Sequence, residues 1–100
     1  MWHGRTKRED ADDYESFLIS TAIPDYRSVP GNIDVAILRS DEEEVTHFIT
    51  RTHWDSEASI QAFAGEDVLK AKYYPEDANY LLEFEPSVVH YEVVESAGSD

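Results

Sequence analysis

Side chains over residues 44–54 fall into two alternating sets. One set is Thr46, Phe48, Thr50, Thr52 and Trp54; the other is Val45, His47, Ile49, Arg51 and His53. A period of two predicts a strand, and since neither set is purely polar, both faces of its sheet are expected to be covered. Ile33 to Arg39 is a second apolar, β-branched run, and the polar Ser40 to Glu43 joins the two as a hairpin. Met1 to Thr6 predicts a short first strand, and Pro86 opens the last one, Ser87 to Val94. Tyr14, Phe17, Leu18, Thr21 and Ala22 recur at helical spacing behind Asp12 and Asp13, which favour a helix start. Pro24 should end or kink that helix, and Pro30-Gly31-Asn32 is turn chemistry. Asp55 or Ser56 caps a second helix, which carries Ile60, Phe63 and Ala64 and stops at Gly65. Asp67 to Lys72 is expected to add a helical turn, and Pro75 to Tyr80 a loop or short helix.

The order is β-α-β-β-α-β. An α+β, ferredoxin-like sandwich accommodates it, with an antiparallel sheet and both helices on one face. Strands one and three would be central, with strand four beside strand one. The uncovered face invites a twofold partner, hence an isologous homodimer. Residues 1–95 are expected to form this single domain, and 96–100, small and polar, a flexible tail.

Charge removes several classes of partner. Twenty-two acidic residues against eight basic ones give a formal net charge of −14. That field repels nucleic acid and anionic membranes, so neither is expected to bind. Lysine occurs only at Lys7, Lys70 and Lys72, and an acid-rich, lysine-poor surface suits high salt, which screens self-repulsion. No apolar run approaches the ~18 residues of a membrane span, and the N-terminal residues lack an apolar signal core. Cysteine is absent, which excludes disulfides, thiol nucleophiles and thiolate metal sites and suits a cytoplasmic protein.

Four histidines, His3, His47, His53 and His90, are the chief titratable candidates. His47 and His53 share a strand face about 20 Å apart, too far to ligate one metal. No His-x-His spacing occurs, and the one Glu-x-x-His spacing, Glu44 to His47, falls at a strand start rather than on a helix, so no metal site is expected. His3, His53 and His90 lie on strands expected to be neighbours and converge only if register and facing agree. His90 is the best general-base candidate, because imidazole titrates near neutral pH. Trp54 and Phe63 could form an aromatic wall or simply core. Tyr73, Tyr74 and Tyr80 lie where a loop would close the sandwich, and a tyrosine there could donate to a bound oxygen. No phosphate-binding glycine loop or serine elbow is present.

Six pieces carry a longer-range pattern: Trp2-x-Gly4-x-Thr6, Pro30-Gly31, Trp54-Asp55-Ser56, Ala62-Phe63-Ala64-Gly65-Glu66-Asp67, Tyr73-Tyr74-Pro75-Glu76 and His90-Tyr91-Glu92-Val93. In this order they resemble the antibiotic biosynthesis monooxygenase-like (ABM) domain family of the dimeric α+β barrel superfamily. The resemblance implies a homodimer whose sheets face each other and a pocket between sheet and helices in each protomer. It further implies a cofactor-independent monooxygenase acting on a small aromatic or quinol-type molecule. His90 would then be the base, Trp54 and Phe63 the stacking wall, and Tyr73 or Tyr74 the oxygen-side donor. Tyr80, His53 and His3 would complete the substrate site. Haem, used by another branch of the superfamily, fits poorly: Tyr73 or its neighbours stand where that branch has its histidine ligand, and Phe63 where it has tryptophan. The other class of function is a non-catalytic, small-ligand-binding or stress-associated homodimer.

Overall fold

The computed structural model describes residues 1–95; the expected tail, 96–100, lies outside the described residues. β1 (Trp2–Lys7) leads through a 3-10 turn into α1 (Ala11–Phe17). A π-helical turn, Leu18–Ala22, joins α1 to α2 (Ile23–Arg27). The hairpin β2 (Asn32–Asp41) and β3 (Val45–Trp54) follows, then α3 (Glu57–Ala64) and a 3-10 helix, Pro75–Asn79. The sheet is antiparallel in the order β1-β3-β2. The fold is a small α+β sandwich of the ferredoxin-like kind.

Register assigns the faces. Trp2 pairs with Thr50, Gly4 with Phe48 and Thr6 with Thr46, while Val35, Ile37 and Arg39 stand opposite Thr52, Thr50 and Phe48. This face meets the helices, and Phe48 and Tyr14 at its centre are fully buried, edge to face with ring centroids 5.2 Å apart. The opposite face carries His3, Arg5, Leu38, His47, Ile49, Arg51 and His53. Gly4 lets the Trp2 ring lie back across β1, since a Cβ there would stand 2.6 Å from its Cη2. Gly31, at φ +95°, turns the chain so that its carbonyl accepts from the Asp55 amide at 2.9 Å. A Cβ at that position would strike the Ser59 hydroxyl at 2.0 Å.

Three expectations are corrected and one is narrowed. Of the two outcomes expected at Pro24 the helix does not end: the Ile23 amide bonds back to the Leu18 carbonyl, and this π turn interrupts the α-helical ladder just before Pro24 while the helical path continues into α2. Asp67 to Lys72 forms no helix, only a turn closed by the Lys70 amide on the Asp67 carbonyl. Ser87 to Val94 forms no fourth strand. Its backbone groups are engaged elsewhere: the Pro86 carbonyl accepts from Ala71, and the Val88 amide donates to Leu69. What remains follows the free edge of β1 loosely, with Leu82 donating to Arg5 and Val89 to Met1. β3 is therefore central, and β1 is an edge bordered by an irregular segment.

Candidate functional site

The inward residues of β3 meet α2 and α3 around an aromatic cleft. Thr50, Thr52 and Trp54 point in on alternate positions, and the Trp54 indole N–H donates to the Thr52 hydroxyl at 2.9 Å. Ser56 caps α3 by accepting from the Ser59 amide at 3.2 Å, a bond of about 1 kcal/mol. So anchored, α3 stacks Phe63 on Tyr26 with centroids 4.2 Å apart and sets it 5.8 Å from Trp54. The Lys72 ammonium lies 4.1 Å over the Phe63 ring, a cation–π contact, and 3.2 Å from Asp25 Oδ2.

The inner cleft bounded by Trp2, Tyr26, Trp54, Phe63, Lys72 and His90 has a free volume of about 40 Å³. A deeper recess of about 10 Å³ shares Trp2, Tyr26 and Lys72 with it and reaches Tyr14, Tyr74 and Asp77. On the other side, an outer cleft of about 570 Å³ lies against Arg51, His53 and residues 90–93. Met1, Thr52, Trp54, Ile60 and His90 border both the inner and the outer cleft. Ligand sites commonly measure about 300–1,000 Å³, so only the outer cleft holds a whole aromatic molecule, and the inner one admits an edge of it.

His90 stands at that junction. Its Nε2–H donates to the Val68 carbonyl at 2.5 Å. A carbonyl can only accept, so this bond fixes the proton of the neutral ring on Nε2 and leaves the Nδ1 lone pair as acceptor. The His90 side chain is exposed, and among the described residues its Nδ1 has no protein hydrogen-bond partner, so it is open to solvent or ligand. Trp54 and Phe63 are wall residues of the inner cleft and His53 of the outer one. His53 also pairs with Asp34 at 2.7 Å.

The other expected site residues lie elsewhere. Tyr73 packs on Trp2 and Phe84 and donates to the Glu85 carbonyl at 2.5 Å, outside the cleft lining. Tyr80 packs on Tyr14 and Phe17 in the core. Tyr74 reaches only the deep recess, where its hydroxyl donates to Asp25 at 2.5 Å. His3 is on the opposite face of the sheet. Its Nδ1 meets Glu85 at 2.5 Å and its Nε2 meets His47 Nδ1 at 3.0 Å, while His47 Nε2 meets Glu42 at 2.8 Å. This four-residue chain lies away from the cleft, so His3 does not join His53 and His90.

Sequence reasoning missed Trp2, Tyr26, Lys72 and Asp77. Tyr26 continues the stripe Tyr14, Leu18, Ala22 by one more step of four, a signal hidden by stopping the helix at Pro24. Asp77 sits three residues after Tyr74, at the capping position of the last 3-10 helix. Its Oδ2 accepts the Tyr74 amide at 2.6 Å and its Oδ1 the buried Tyr14 hydroxyl at 2.9 Å.

These contacts set the charge states. Burial, then the neighbouring carboxylates, push the Tyr14, Tyr26 and Tyr74 phenols well above their usual range, so all three stay neutral, and Tyr14 and Tyr74 donate to Asp77 and Asp25. Burial raises Asp77 in spite of its two hydrogen bonds. Burial opposes the charge on Asp25 too, but the Tyr74 hydroxyl and Lys72 ammonium outweigh it and hold Asp25 below its ordinary 3.8. A depressed carboxylate stabilises the fold above its unfolded-state pKa and loses that contribution as pH falls through the folded value. Thermal melts from pH 7 to pH 2 should therefore show a stability deficit of Asp25→Asn at neutrality that closes in acid. Because the pair is part-exposed, the deficit should stay under about 1 kcal/mol, and a pH-independent gap would refute the assignment.

Among the described residues no group of three or more histidine, aspartate or glutamate side chains gathers as a metal donor set. Among the described residues no helix is long and apolar enough to cross a membrane. The Tyr73 hydroxyl is committed to a backbone carbonyl. No curated protein and no solved structure matches the chain. The family model for antibiotic biosynthesis monooxygenase matches residues 5–73, from β1 through the hairpin and α3, and the chain belongs to that family.

Proposed function

We propose that the protein is a cofactor-independent monooxygenase-like enzyme that acts on a small aromatic or quinol-type molecule, as a cytoplasmic homodimer. The observation that carries this reading is His90: an imidazole with an unengaged Nδ1, at the junction of an aromatic inner cleft and an outer cleft of about 570 Å³. The oxygen-bearing edge of the substrate enters beside Trp54 and Phe63 while its ring lies in the outer cleft, and His90 Nδ1 takes the proton of its hydroxyl. Electron density then moves to the para carbon, which combines with O₂. One oxygen atom stays on carbon and the other leaves as water, so a phenol unsubstituted at that carbon gives the para-quinone. O₂ is the oxidant, and the proton bound by His90 returns to the departing water. The uncovered sheet face, with Leu38 and Ile49 among its side chains, supports the dimer.

A positioned base contributes about 10²–10⁴-fold to rate. Oxygen consumption should be measured with a panel of naphthols, hydroquinones and anthrones. His90→Ala should lower turnover of whichever substrate reacts by at least about 10²-fold. Unchanged turnover would remove His90 from the mechanism. Silence across the whole panel would leave the second reading, a non-catalytic small-ligand-binding or stress-associated homodimer. That reading is favoured by the tightness of the inner cleft, about 40 Å³, which the protein's own side chains nearly fill.

A further inference from the structure

Trp2 and Trp54 border the same inner cleft, yet their indole groups are treated differently. Trp54 Nε1–H has its acceptor in Thr52. Trp2 is 6% exposed, its Nε1 is buried, and among the described residues that N–H has no acceptor. A buried donor left unsatisfied is destabilising, and the exceptions in native proteins call for a cause. The fold holds this one in place. Gly4 leaves room for the ring across β1, Tyr14 and Tyr73 pack on it, and Thr50 is its cross-strand neighbour. The ring lines the inner cleft and the deep recess at once, at their shared boundary with Tyr26 and Lys72.

We propose that the Trp2 indole N–H is the ligand-orienting donor of this cleft, holding an oxygen atom carried on the inward edge of a planar aromatic molecule. The inference rests on the small-aromatic reading of the cleft and adds to it a direction: the oxygen-bearing edge enters first, and the rest of the ligand lies in the outer cleft. Trp2 and His90 both line the inner cleft, and in this proposal a phenolic oxygen accepts from Trp2 Nε1 while donating its own proton to His90 Nδ1. As the proton leaves, the oxygen gains charge and the Trp2 bond strengthens, as bonds to ionised acceptors do. An aromatic without an oxygen leaves the indole N–H as unsatisfied as before and gains nothing from it.

The test uses p-cresol and toluene, which share a ring and a methyl group and differ by the hydroxyl. Titration calorimetry on the intact protein should show p-cresol binding more tightly than toluene. Trp2→Phe keeps the aromatic packing and removes the N–H. It should weaken p-cresol by about tenfold and leave toluene unchanged. Equal losses for both ligands, or none for p-cresol, would overturn the proposal. Should Trp2→Phe fail to fold, the wild-type ¹⁵N–¹H spectrum decides, with the two indole signals told apart by Trp54→Phe. Trp2 Nε1–H should move downfield with p-cresol and stay with toluene; a signal indifferent to bound p-cresol would overturn the assignment. Failure of p-cresol to bind would sink both this proposal and the aromatic-ligand reading. A shifted Trp2 signal without oxygen uptake by any substrate would sink the oxygenase reading alone.

Discussion

Replacing Phe48 with alanine is expected to cost about 3–5 kcal/mol, the range for emptying a fully buried aromatic position. Phe48 sits on central β3, opposite Gly4 on one side and Arg39 on the other, and is 0% exposed. Its ring meets Tyr14 edge to face, and the Arg39 guanidinium lies 5.9 Å over it, itself tied to Asp12 and Asp41. None of these neighbours can collapse into the space without leaving another contact. In a domain of this size each kcal/mol moves the melting temperature by about 4–8 °C, so a fall of roughly 15–30 °C is expected. Urea and thermal melts would measure it. A loss below about 1 kcal/mol would contradict the packing described above.

The second large effect is expected at Asp77. This carboxylate is 1% exposed and satisfies two donors, the Tyr14 hydroxyl and the Tyr74 amide. Asp77→Ala strands both, each at about 1–3 kcal/mol, so a loss of roughly 2–4 kcal/mol is expected after relief of the buried charge. Asp77→Asn should lose less, because one acceptor survives and the charge is gone. The decisive comparison is Tyr14→Phe, destabilising alone but expected to restore about 1 kcal/mol when added to Asp77→Ala, since the orphaned hydroxyl disappears. Strict additivity of the two changes in denaturant melts would show that they do not share a bond. The pH response has a defined sign. Asp77, raised by burial, favours the fold when protonated and withdraws stability as pH climbs above the ordinary carboxylate range, opposite to Asp25.

The alternating residues of β3 made its two faces legible in the sequence, and the hairpin and the capped helix α3 followed from local chemistry. The absence of a ladder at Ser87–Val94 was not legible, because strand-like composition does not reveal that Pro86 and Val88 spend their backbone groups on residues 69–71. Of the candidate site, Trp54, Phe63 and His90 could be read, since helix and strand periodicity put the first two inward and the third stood out by its chemistry. Trp2 could not: a tryptophan near a strand start reads as core, and only the missing acceptor distinguishes it. His3 and His47 illustrate the same limit. Their meeting is diagonal, between the pairs His3–Ile49 and Arg5–His47, and depends on a register that residue types alone do not fix.

The widened turn at Leu18–Ala22 gives the wall of this cleft a simple handle. Consecutive residues of an α-helix are rotated by about 100°, and a π turn accommodates one residue more than the α-helical turn it replaces. Losing a single codon between Leu18 and Ala22 would close that turn and rotate the residues of α2 by about 100° about the helix axis. Tyr26 would leave the face of Phe63, and Asp25 would leave Lys72 and Tyr74, while β3 and the Phe48–Tyr14 core stayed as they are. A lineage could thus exchange the wall of its ligand site by a one-residue gain or loss in a helix, without renegotiating the sheet that supports it.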